Sequence, residues 1–335
     1  MPRAWCLKSR PSGLPTPDNF ELKSFPDAPL GEGELRVRNE WLSVDPYMRG
    51  RMNDVRSYVP PFQIGEPMQG GAVGTVIESR AEGFAPGDRV MHMLGWRDEA
   101  VVPATGGAMA GAAQKLPAMP GLPPQTFLHN LGLTGGTAWF GLLHTAEAKA
   151  GDIVFVSAAA GAVGSAVVQI AKARGMTVIG SAGGPDKCAW VRELGADDCI
   201  DYKAGPVLPQ LLKAAPKGID VYFDNVGGEH LDAAYATGRN NARFAICGMI
   251  DAYNDGKPLE LRYFIRTISA RIRTQGFIWT DYAAHIDEFL QGAGALIAEG
   301  KLRARETVME GLERTPEAFL GLFSGANTGK MLVRL

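Results

Sequence analysis

From about residue 129 onward, short apolar runs alternate with helical stretches, and this alternation is the feature that most limits how the chain can fold. Successive β–helix–β units require right-handed crossovers and place their strands side by side in a parallel sheet. We therefore predict the α/β class, with a doubly wound parallel sheet whose first three strands stand in the order 3-2-1. The predicted strands cover 152–158, 177–182, 219–226, 242–250 and 273–279, and the predicted helices include 162–174, one ending near Leu194 with Gly195 as its cap, and 283–298.

The first 125 residues have a different pattern. Of the 22 prolines, 16 lie at or before Pro124, and β-rich runs such as ELRVRNEWLSV (34–44) alternate with turn signals. This pattern predicts a small, mostly β, barrel-like domain. The last segment adds no further β–helix pair and ends in a short apolar strand, so we expect it to return to this domain. The predicted domains are 1–125 with 304–335, and 126–303.

Composition excludes several classes of partner. The 335 residues are 46% hydrophobic and 21% charged, with a formal net charge of -2. This balance gives no field that attracts nucleic acid or an anionic membrane, so we expect neither as a partner. The first residues, MPRAWCLKSRPSGLP, lack the apolar core of a signal peptide, and no run is long and apolar enough to span a bilayer. We therefore expect a cytoplasmic protein.

The cysteines and histidines show no metal-binding pattern in the sequence. The four cysteines are scattered without a C-x-x-C pair, and the five histidines form no H-E-x-x-H or His-x-His motif. We therefore predict reduced thiols, structural histidines and no metal site.

Residues 156–166, VSAAAGAVGSA, form a small-residue loop between a predicted strand and a predicted helix. In the frame A-x-G-x-x-G, Ala159, Gly161 and Gly164 take the three glycine positions of a dinucleotide-binding fingerprint. Alanine can occupy the first position if its φ stays negative. The loop predicts phosphate contacts from its own backbone and the start of the helix, at Ala159, Gly161, Ala162, Val163 and Gly164.

The end of the second predicted strand indicates which dinucleotide is bound. An NAD enzyme carries an acid there for the ribose 2′-hydroxyl, but this chain has Ser181 between Gly180 and Ala182. Lys187 could reach a 2′-phosphate, and Tyr202 followed by Lys203 ends the neighbouring strand. The sequence therefore favours NADP(H) over NAD(H), with Ser181, Lys187 and Tyr202 as candidate contacts.

Two further patterns do not predict their usual function. Tyr253 and Lys257 have the Y-x-x-x-K spacing of short-chain reductases, but that pair needs a helix and Gly256 and Pro258 favour a loop. GANTGK (325–330) is one residue short of a P-loop and is followed by Met331.

Together these motifs resemble the zinc-independent medium-chain dehydrogenases/reductases, in the branch of prostaglandin reductases, leukotriene hydroxydehydrogenases and alkenal double-bond reductases. The resemblance covers essentially the whole chain, and the order of its motifs makes it specific. It is carried by LSVDPYMRGRM (42–52), GGAVGTV (70–76), LGLTGGTAWFGL (131–142), VSAAAGAVGS (156–165), ELGADDCIDYK (193–203), FDNVGGE (223–229), CGMIDAYN (247–254), GFIW (276–279) and GANTGKMLV (325–333).

The resemblance implies a GroES-like β domain formed by both chain ends, an inserted Rossmann domain, and NADPH in the cleft. It also implies a homodimer that reduces a carbon–carbon double bond conjugated to a carbonyl. By position, Lys187 and Tyr202 resemble the family's 2′-phosphate contacts. Asn225 and Asn327 resemble its cofactor-binding asparagines, Met249 and Phe277 would line the nicotinamide, and Tyr47 would lie in the substrate pocket.

Zinc alcohol dehydrogenases of the same superfold polarise oxygen with a metal, but the corresponding segment here, GEPMQGG (65–71), has no histidine. Conjugate reduction needs less help, because charge develops on an enolate oxygen that hydrogen-bond donors can stabilise. We assign Tyr253 as the donor, with Tyr47 as the second catalytic candidate. The leading prediction is an NADPH-dependent enal/enone reductase; the alternatives are a quinone oxidoreductase and a non-catalytic NADPH-binding protein.

Overall fold

The computed structural model describes residues 1–106, 111–117, 119, 121–254 and 258–335. Its strands are β1 (Arg3–Leu7), β2 (Phe20–Ser24), β3 (Glu34–Ser43), β4 (Ala72–Ser79), β5 (Arg89–His92), β6 (Glu99–Pro103), β7 (Gln114–Lys115), β8 (Ile153–Val156), β9 (Thr177–Ala182), β10 (Asp198–Asp201), β11 (Ile219–Asp224), β12 (Gly238–Ile246), β13 (Arg273–Gly276), β14 (Glu306–Glu310) and β15 (Lys330–Arg334). Its α-helices are α1 (Met48–Arg51), α2 (Leu133–Phe140), α3 (Ala162–Ala173), α4 (Pro185–Glu193), α5 (Val207–Ala214), α6 (Gly228–Thr237), α7 (Arg266–Ser269), α8 (Ile286–Ala298) and α9 (Thr315–Ser324). Short 3-10 segments cover Pro17–Asn19, Pro124–Leu128, Ile250–Ala252, Trp279–His285 and Leu312–Arg314, and Gly141–Thr145 is a π-helical turn.

The chain divides into two compact units. The first contains Met1–Leu128, Glu306–Asn327 and Met331–Leu335, and the second contains His129–Arg305 and Thr328–Lys330.

The first unit is built on antiparallel strands. β1 pairs with β2, and a larger sheet has the order β14-β15-β3-β4-β5-β7, with β6 also pairing β3. β15 lies antiparallel to β3, with Leu332 opposite Ser43. The carboxyl-terminal strand is therefore part of the same sheet as strands from the first hundred residues.

The long strand β3 shows why this unit folds as a sheet. Leu35 and Val37 are fully buried. Between them, Arg36 turns outward and reaches the Glu78 carboxylate at 3.2 Å. Side chains along a strand alternate between faces, so the alternation of apolar and charged residues buries one face against the core.

The second unit contains a six-stranded parallel sheet in the order β10-β9-β8-β11-β12-β13. This is the doubly wound order 3-2-1-4-5-6, which confirms the predicted fold class and strand order. Because helices cover both faces of such a sheet, its central strands are apolar without alternation. In β8, Val154, Phe155 and Val156 are all fully buried.

Four of the five predicted strands extend too far in this unit, and those predicted over 152–158 and 219–226 end at Val156 and Asp224. The predicted strand 242–250 corresponds to Gly238–Ile246, because the N–H groups of Cys247 and Gly248 both donate to the Asp224 carbonyl and turn the chain away from the sheet. The predicted strand 273–279 ends at Gly276, and a 3-10 segment begins at Trp279. The helix predicted over 162–174 matches α3, and α4 ends before Gly195, whose φ of 105° suits the predicted glycine cap.

Within the described ranges, no helix is both long enough and apolar enough to cross a membrane.

Candidate functional site

The loop between β8 and α3 makes its sharp turn at Ala158. This residue has a φ of 48°, and its carbonyl accepts the Gly161 N–H at 2.9 Å. Ala159, at the first position of the fingerprint, does not have a positive φ, so its methyl group is acceptable there. Ala158 is therefore the residue that adopts the left-handed conformation, which costs about 1–2 kcal/mol for a residue with a side chain.

The two glycines of the loop have different roles. A Cβ on Gly164 would lie 2.3 Å from the Ala158 carbonyl oxygen and 2.8 Å from the Ala159 Cα, so glycine is needed for the helix to approach the strand. A Cβ on Gly161 would lie 3.2 Å from the same oxygen, with no closer contact. The fold therefore requires Gly164 more strictly than Gly161, whose bare backbone leaves space for a ligand.

The start of α3 presents backbone N–H groups to this space. Gly161 is the N-cap and has no side-chain cap, and the first intrahelical bond runs from the Ser165 N–H to the Gly161 carbonyl at 2.9 Å. The N–H groups of Ala162, Val163 and Gly164 therefore have no intrahelical acceptor and lie at the positive end of the helix dipole. This arrangement suits a phosphate.

At the end of β9, Ser181 occupies the position of the missing acid. Its side chain is fully buried, and its hydroxyl bonds the Nε2 atom of His230 at 2.9 Å. Burial lowers the pKa of His230 to about 4, so the imidazole is neutral at physiological pH. Ser181, which was predicted to contact the cofactor, thus faces the interior. It affects the site because it places no negative charge at the end of β9.

Basic side chains gather beside this strand end. A Cβ on Gly183 would lie 2.6 Å from the Tyr202 hydroxyl and 3.0 Å from the Lys203 Cε, so both side chains lie over the Gly183 backbone. Partial burial, and then the charge of Lys203, lower the pKa of Lys187. Because Lys187 and Lys203 are close and carry the same charge, an anion bound between them would stabilise both.

One acid lies near these cations. The Oδ1 atom of Asp201 accepts the N–H groups of Gly184 at 2.8 Å and of Lys203 at 3.0 Å. The carboxylate therefore caps the backbone of this loop and fixes the conformation in which the loop presents Tyr202.

A buried network sets the loop after β11. The Oδ1 atom of Asp224 accepts from the Tyr222 hydroxyl at 2.7 Å, the Ser157 hydroxyl at 3.2 Å and the N–H groups of Val226 and Gly227 at 2.9 and 2.8 Å. Burial raises the pKa of Asp224 despite these donors. The side-chain amide of Asn225 donates to the Ser157 carbonyl at 2.8 Å, so this candidate residue is held against the end of β8.

Met249 and Tyr253 lie in the loop after β12. The Tyr253 hydroxyl accepts the Met249 N–H at 3.4 Å, and a Cβ on Gly248 would lie 2.9 Å from the same oxygen. Gly248 therefore leaves room for the phenol to fold back toward the strand end. Half-buried Phe277, just after β13, packs edge-on against Phe223 with ring centroids 6.1 Å apart.

The second unit thus collects its candidate residues at one edge of the sheet. They follow β8, β9, β10, β11, β12 and β13 in sequence, and the carboxyl ends of parallel strands meet at the same edge. In open α/β sheets this edge is where ligands bind.

In the first unit, Tyr47 follows β3 and is the N-cap of α1. Its hydroxyl oxygen is inaccessible to solvent and has no hydrogen-bond partner among the described residues. Burial and the nearby Asp45 carboxylate raise the pKa of Tyr47, which therefore stays protonated. An unpaired buried hydroxyl costs about 1–3 kcal/mol, so a bound ligand that accepts a hydrogen bond from it would gain affinity there.

The neighbours of Tyr47 are tied into the first unit. The Arg49 guanidinium donates to the Asn53 side chain and to the Gly13 carbonyl, each at 2.8 Å. Arg51 donates to the Pro60 carbonyl at 2.9 Å and lies 4.1 Å from the centroid of the Phe62 ring. These contacts fix the turn that carries Tyr47.

The remaining candidates lie in loops. Asn327 is in the first unit, in the segment between α9 and β15. GANTGK therefore runs from a helix to a strand, the reverse of the strand-to-helix order of a P-loop. Tyr253 follows a single 3-10 turn, and Lys257 of the Y-x-x-x-K pattern lies outside the described residues.

Comparison with known proteins gives matches over nearly the whole chain. Residues 3–109 match the family described as "N-terminal domain of oxidoreductase", and residues 162–298 match "Zinc-binding dehydrogenase". The chain is 42% identical to the NADPH-dependent curcumin reductase of Escherichia coli, covering 99% of this chain and 96% of that protein. It is 38% identical to prostaglandin reductase 1 of Rattus norvegicus, with 99% and 98% covered.

The chain belongs to the zinc-independent medium-chain dehydrogenase/reductase family. The 2-alkenal reductase (NADP(+)-dependent) of Nicotiana tabacum, in the same family, is 37% identical over 98% of this chain and 95% of that protein. The crystal structure of CurA from Vibrio vulnificus in complex with NADPH superposes with a TM-score of 0.92 at 40% identity, over 99% of this chain and 98% of that one.

Sequence reasoning missed several residues that shape the site of this medium-chain reductase. Ser157 and Asp224 organise two of its loops, and His230 lies behind Ser181. Their position in the sequence was the only signal that could have identified these three residues, because each lies at the end of a predicted strand or in the helix that follows one. Pairing between distant segments, such as Ser157 with Asp224, depends on strand order and cannot be read from local spacing.

Proposed function

We propose that this protein is an NADPH-dependent reductase of the carbon–carbon double bond in α,β-unsaturated aldehydes and ketones. The observation that carries the proposal is the end of β9, where neutral, buried Ser181 replaces an acid and Lys203 lies close enough to contribute to the lowered pKa of Lys187. Such a site repels no 2′-phosphate and offers two cations to it. Relatives named as NADP-dependent alkenal, prostaglandin and curcumin reductases support the same activity.

The residues present fit NADPH. The pyrophosphate would be held by the N–H groups of Ala162, Val163 and Gly164, and the 2′-phosphate by Lys187 and Tyr202. Asn225, Met249, Phe277 and Asn327 would contact the nicotinamide half. When bound, NADPH would supply the hydride that adds to the β-carbon of the substrate.

The phenols of Tyr253 and Tyr47 are the donors we assign to the substrate oxygen. A phenol donates a hydrogen bond at neutral pH without ionising. Such a donor accelerates the reaction when it holds the oxygen more tightly as negative charge develops on it. We further propose that no metal takes part in catalysis, since residues 65–71 contain neither histidine nor cysteine.

A steady-state screen tests the function. The purified protein is mixed with NADPH and, separately, with a 2-alkenal, an enone, a prostaglandin-like lipid enone and a quinone. We expect NADPH oxidation with the enal or enone and a product with a saturated carbonyl, and weaker turnover with NADH. Turnover of quinones alone would favour a quinone oxidoreductase, and stoichiometric NADPH binding without oxidation would favour a non-catalytic role.

We also propose a homodimer. β13 is the last strand of its sheet, so one of its edges is unpaired among the described strands, and all four of its residues are exposed. The segment just before it exposes Phe264 by 53%, Ile265 by 68% and Ile268 by 75%. An apolar patch beside an open strand edge suits a second copy of the chain.

Light scattering after size exclusion tests the homodimer. Ile268→Asp should produce monomers, while Leu212→Asp, which changes an exposed leucine in α5, should not. A monomeric parent protein would contradict the proposal.

The domain and localisation predictions remain proposals. We assign 1–125 with 304–335 as the substrate domain and 126–303 as the NADP-binding domain. We place the protein in the cytoplasm without nucleic acid or membrane partners, in keeping with four unpaired cysteines and a net charge of -2. Cell fractionation tests the localisation, and recovery in the membrane fraction would contradict it.

A further inference from the structure

Two histidines and a glutamate meet on the second unit, in a turn and a helix that contain none of the residues assigned to the reaction. His144 lies in the π-helical turn after α2, and His285 and Glu288 lie three residues apart at the start of α8. The Nε2 atom of His144 is 3.1 Å from Glu288 Oε1, and the Nδ1 atom of His285 is 3.7 Å from Glu288 Oε2. One donor atom from each of the three residues can be chosen so that all lie within 4.8 Å of one another.

We propose that His144, His285 and Glu288 form a zinc-binding site. Two imidazoles and a carboxylate, with water in the fourth position, are a ligand set that Zn²⁺ takes in proteins. Zinc bonds of about 2.0–2.2 Å in a tetrahedron place neighbouring ligand atoms about 3.3–3.6 Å apart. The two nitrogen–oxygen distances end on different oxygens of Glu288, so rotation of the exposed carboxylate and of the exposed His285 ring would bring one oxygen within reach of both imidazoles.

The scaffold under these side chains is fixed by packing. The rings of Phe140 and Tyr282 stack with centroids 4.9 Å apart, and the Tyr282 hydroxyl bonds the Thr145 hydroxyl at 2.8 Å. These contacts clamp the turn that carries His144 against the 3-10 segment that ends at His285. The ligands therefore approach one another from elements already held together, which lowers the entropy lost when an ion binds.

An outer hydrogen bond orients the carboxylate. The Trp139 indole N–H donates to Glu288 Oε1 at 3.1 Å. Partners of this kind hold ligands in place around metal ions, and their loss typically weakens affinity about 10–100-fold. The Glu288 side chain is 48% exposed and that of His285 is 52% exposed, so the ion can enter from solvent.

The position of the cluster makes this ion structural. Arg273, the first residue of β13, donates to the Thr145 carbonyl at 3.0 Å, so the turn that carries His144 lies beside the start of that strand. The loops assigned to NADPH follow the opposite ends of the strands. Zinc would thus link the turn after α2 to the start of α8.

Titration calorimetry with ZnCl₂ on the full-length protein, stripped with EDTA and then freed of it, tests the site. We expect one ion per chain at micromolar affinity or tighter. His285→Gln and Glu288→Gln should each weaken binding by about tenfold or more, since losing a ligand costs at least as much as losing an outer partner. The matched control is Asp287→Asn, which removes one exposed charge from the same helical turn and should leave the affinity within about twofold.

Two further readouts complete the test. Zn²⁺ should raise the Tm of the parent and of Asp287→Asn but not of His285→Gln, because a ligand of the folded state stabilises it. Circular dichroism in metal-free buffer shows whether the variants are folded. The site is overturned if the parent does not bind Zn²⁺ stoichiometrically, if Glu288→Gln binds like the parent, or if Asp287→Asn loses as much affinity as Glu288→Gln.

Discussion

Lys187 is half-buried beside a second cation, Lys203. The role of Lys187 therefore depends on which anion binds beside the two lysines. The structure places Lys203 and the Tyr202 hydroxyl around the same glycine, Gly183, at the end of the strand that lacks an acid. A cation in this position discriminates between dinucleotides because only NADPH brings a 2′-phosphate.

We predict that Lys187→Ala weakens NADPH binding by roughly 10–150-fold, the equivalent of about 1.5–3 kcal/mol for a charge-assisted hydrogen bond. NADH binding should change little, since no phosphate is lost from that contact. Fluorescence titration with both cofactors measures the two affinities. Lys213→Ala, at an exposed lysine of α5, is the control, and equal losses for NADPH and NADH in Lys187→Ala would contradict the assignment.

Tyr253→Phe removes one hydroxyl and preserves the ring. If Tyr253 donates to the developing enolate, kcat should fall by about 10²–10³, as for loss of one oxyanion donor, with NADPH affinity little changed. In the free protein the same hydroxyl accepts a long hydrogen bond from the Met249 N–H at 3.4 Å, and circular dichroism and the Tm of the variant show whether its loss leaves the fold in place. Parental kcat in the variant would transfer the role to Tyr47 or to an ordered water.

Tyr47→Phe separates substrate binding from packing. The hydroxyl is buried and has no hydrogen-bond partner in the described structure. Removing it eliminates an unpaired buried polar group, so the Tm should not fall. If a substrate oxygen accepts a hydrogen bond from Tyr47 in the parent protein, the KM for enones should be higher in Tyr47→Phe. Thermal unfolding and steady-state kinetics are measured on the same preparation, and a large drop in Tm with unchanged KM would indicate packing instead.

At the scale of elements, the β8–α3 junction shows how a turn separates folding from binding. Gly164 meets backbone atoms within 3 Å of where a Cβ would stand, whereas Gly161 meets none that close. The same loop therefore contains one glycine required by the fold and one available to a ligand.

We predict that Gly164→Ala destabilises the protein by about 1–3 kcal/mol, because the methyl group forces the helix away from the Ala158 carbonyl. Gly161→Ala should keep the parental stability within about 1 kcal/mol and lose NADPH affinity, since its methyl group would fill the space for the pyrophosphate. Urea unfolding and NADPH titration of both variants measure the contrast. The same loss of stability in both would show that Gly161 is also structural.

Elements were predictable where the local pattern and the tertiary contacts agree. β9 lies over the predicted residues and α3 ends one residue earlier than predicted, because an apolar run and a small-residue helix start are local features. The end of β12 was not predictable, since it is set by the Asp224 carbonyl on a neighbouring strand. The Ser157–Asp224 bond escaped for the same reason, because it joins residues 67 positions apart.

At the scale of the whole molecule, each unit buries a histidine that must stay neutral. In the first unit, Nδ1 of His92 accepts the Leu94 N–H at 3.1 Å while Nε2 faces the side-chain oxygen Oδ1 of Asn39 at 3.0 Å. Burial and the charge of Arg97 lower the pKa of His92 to about 3. In the second unit, burial lowers the pKa of His230 to about 4.

These histidines predict acid sensitivity in both units. Between an unfolded-state pKa of about 6.5 and the lowered folded value, the unfolded chain binds a proton that the folded chain does not, so stability falls as the pH falls through that window. For His230 the loss from pH 7 to pH 4 is on the order of 3 kcal/mol, from about 2.5 pKa units at about 1.4 kcal/mol each. The free energy of unfolding, measured in urea at several pH values, should therefore decline below about pH 6.5. His230→Gln keeps a polar group near Ser181 and cannot be protonated, so its stability should decline less steeply than that of the parent. If the free energy of unfolding of His230→Gln declined with pH as steeply as that of the parent, groups other than His230 would be responsible for the acid sensitivity of the second unit.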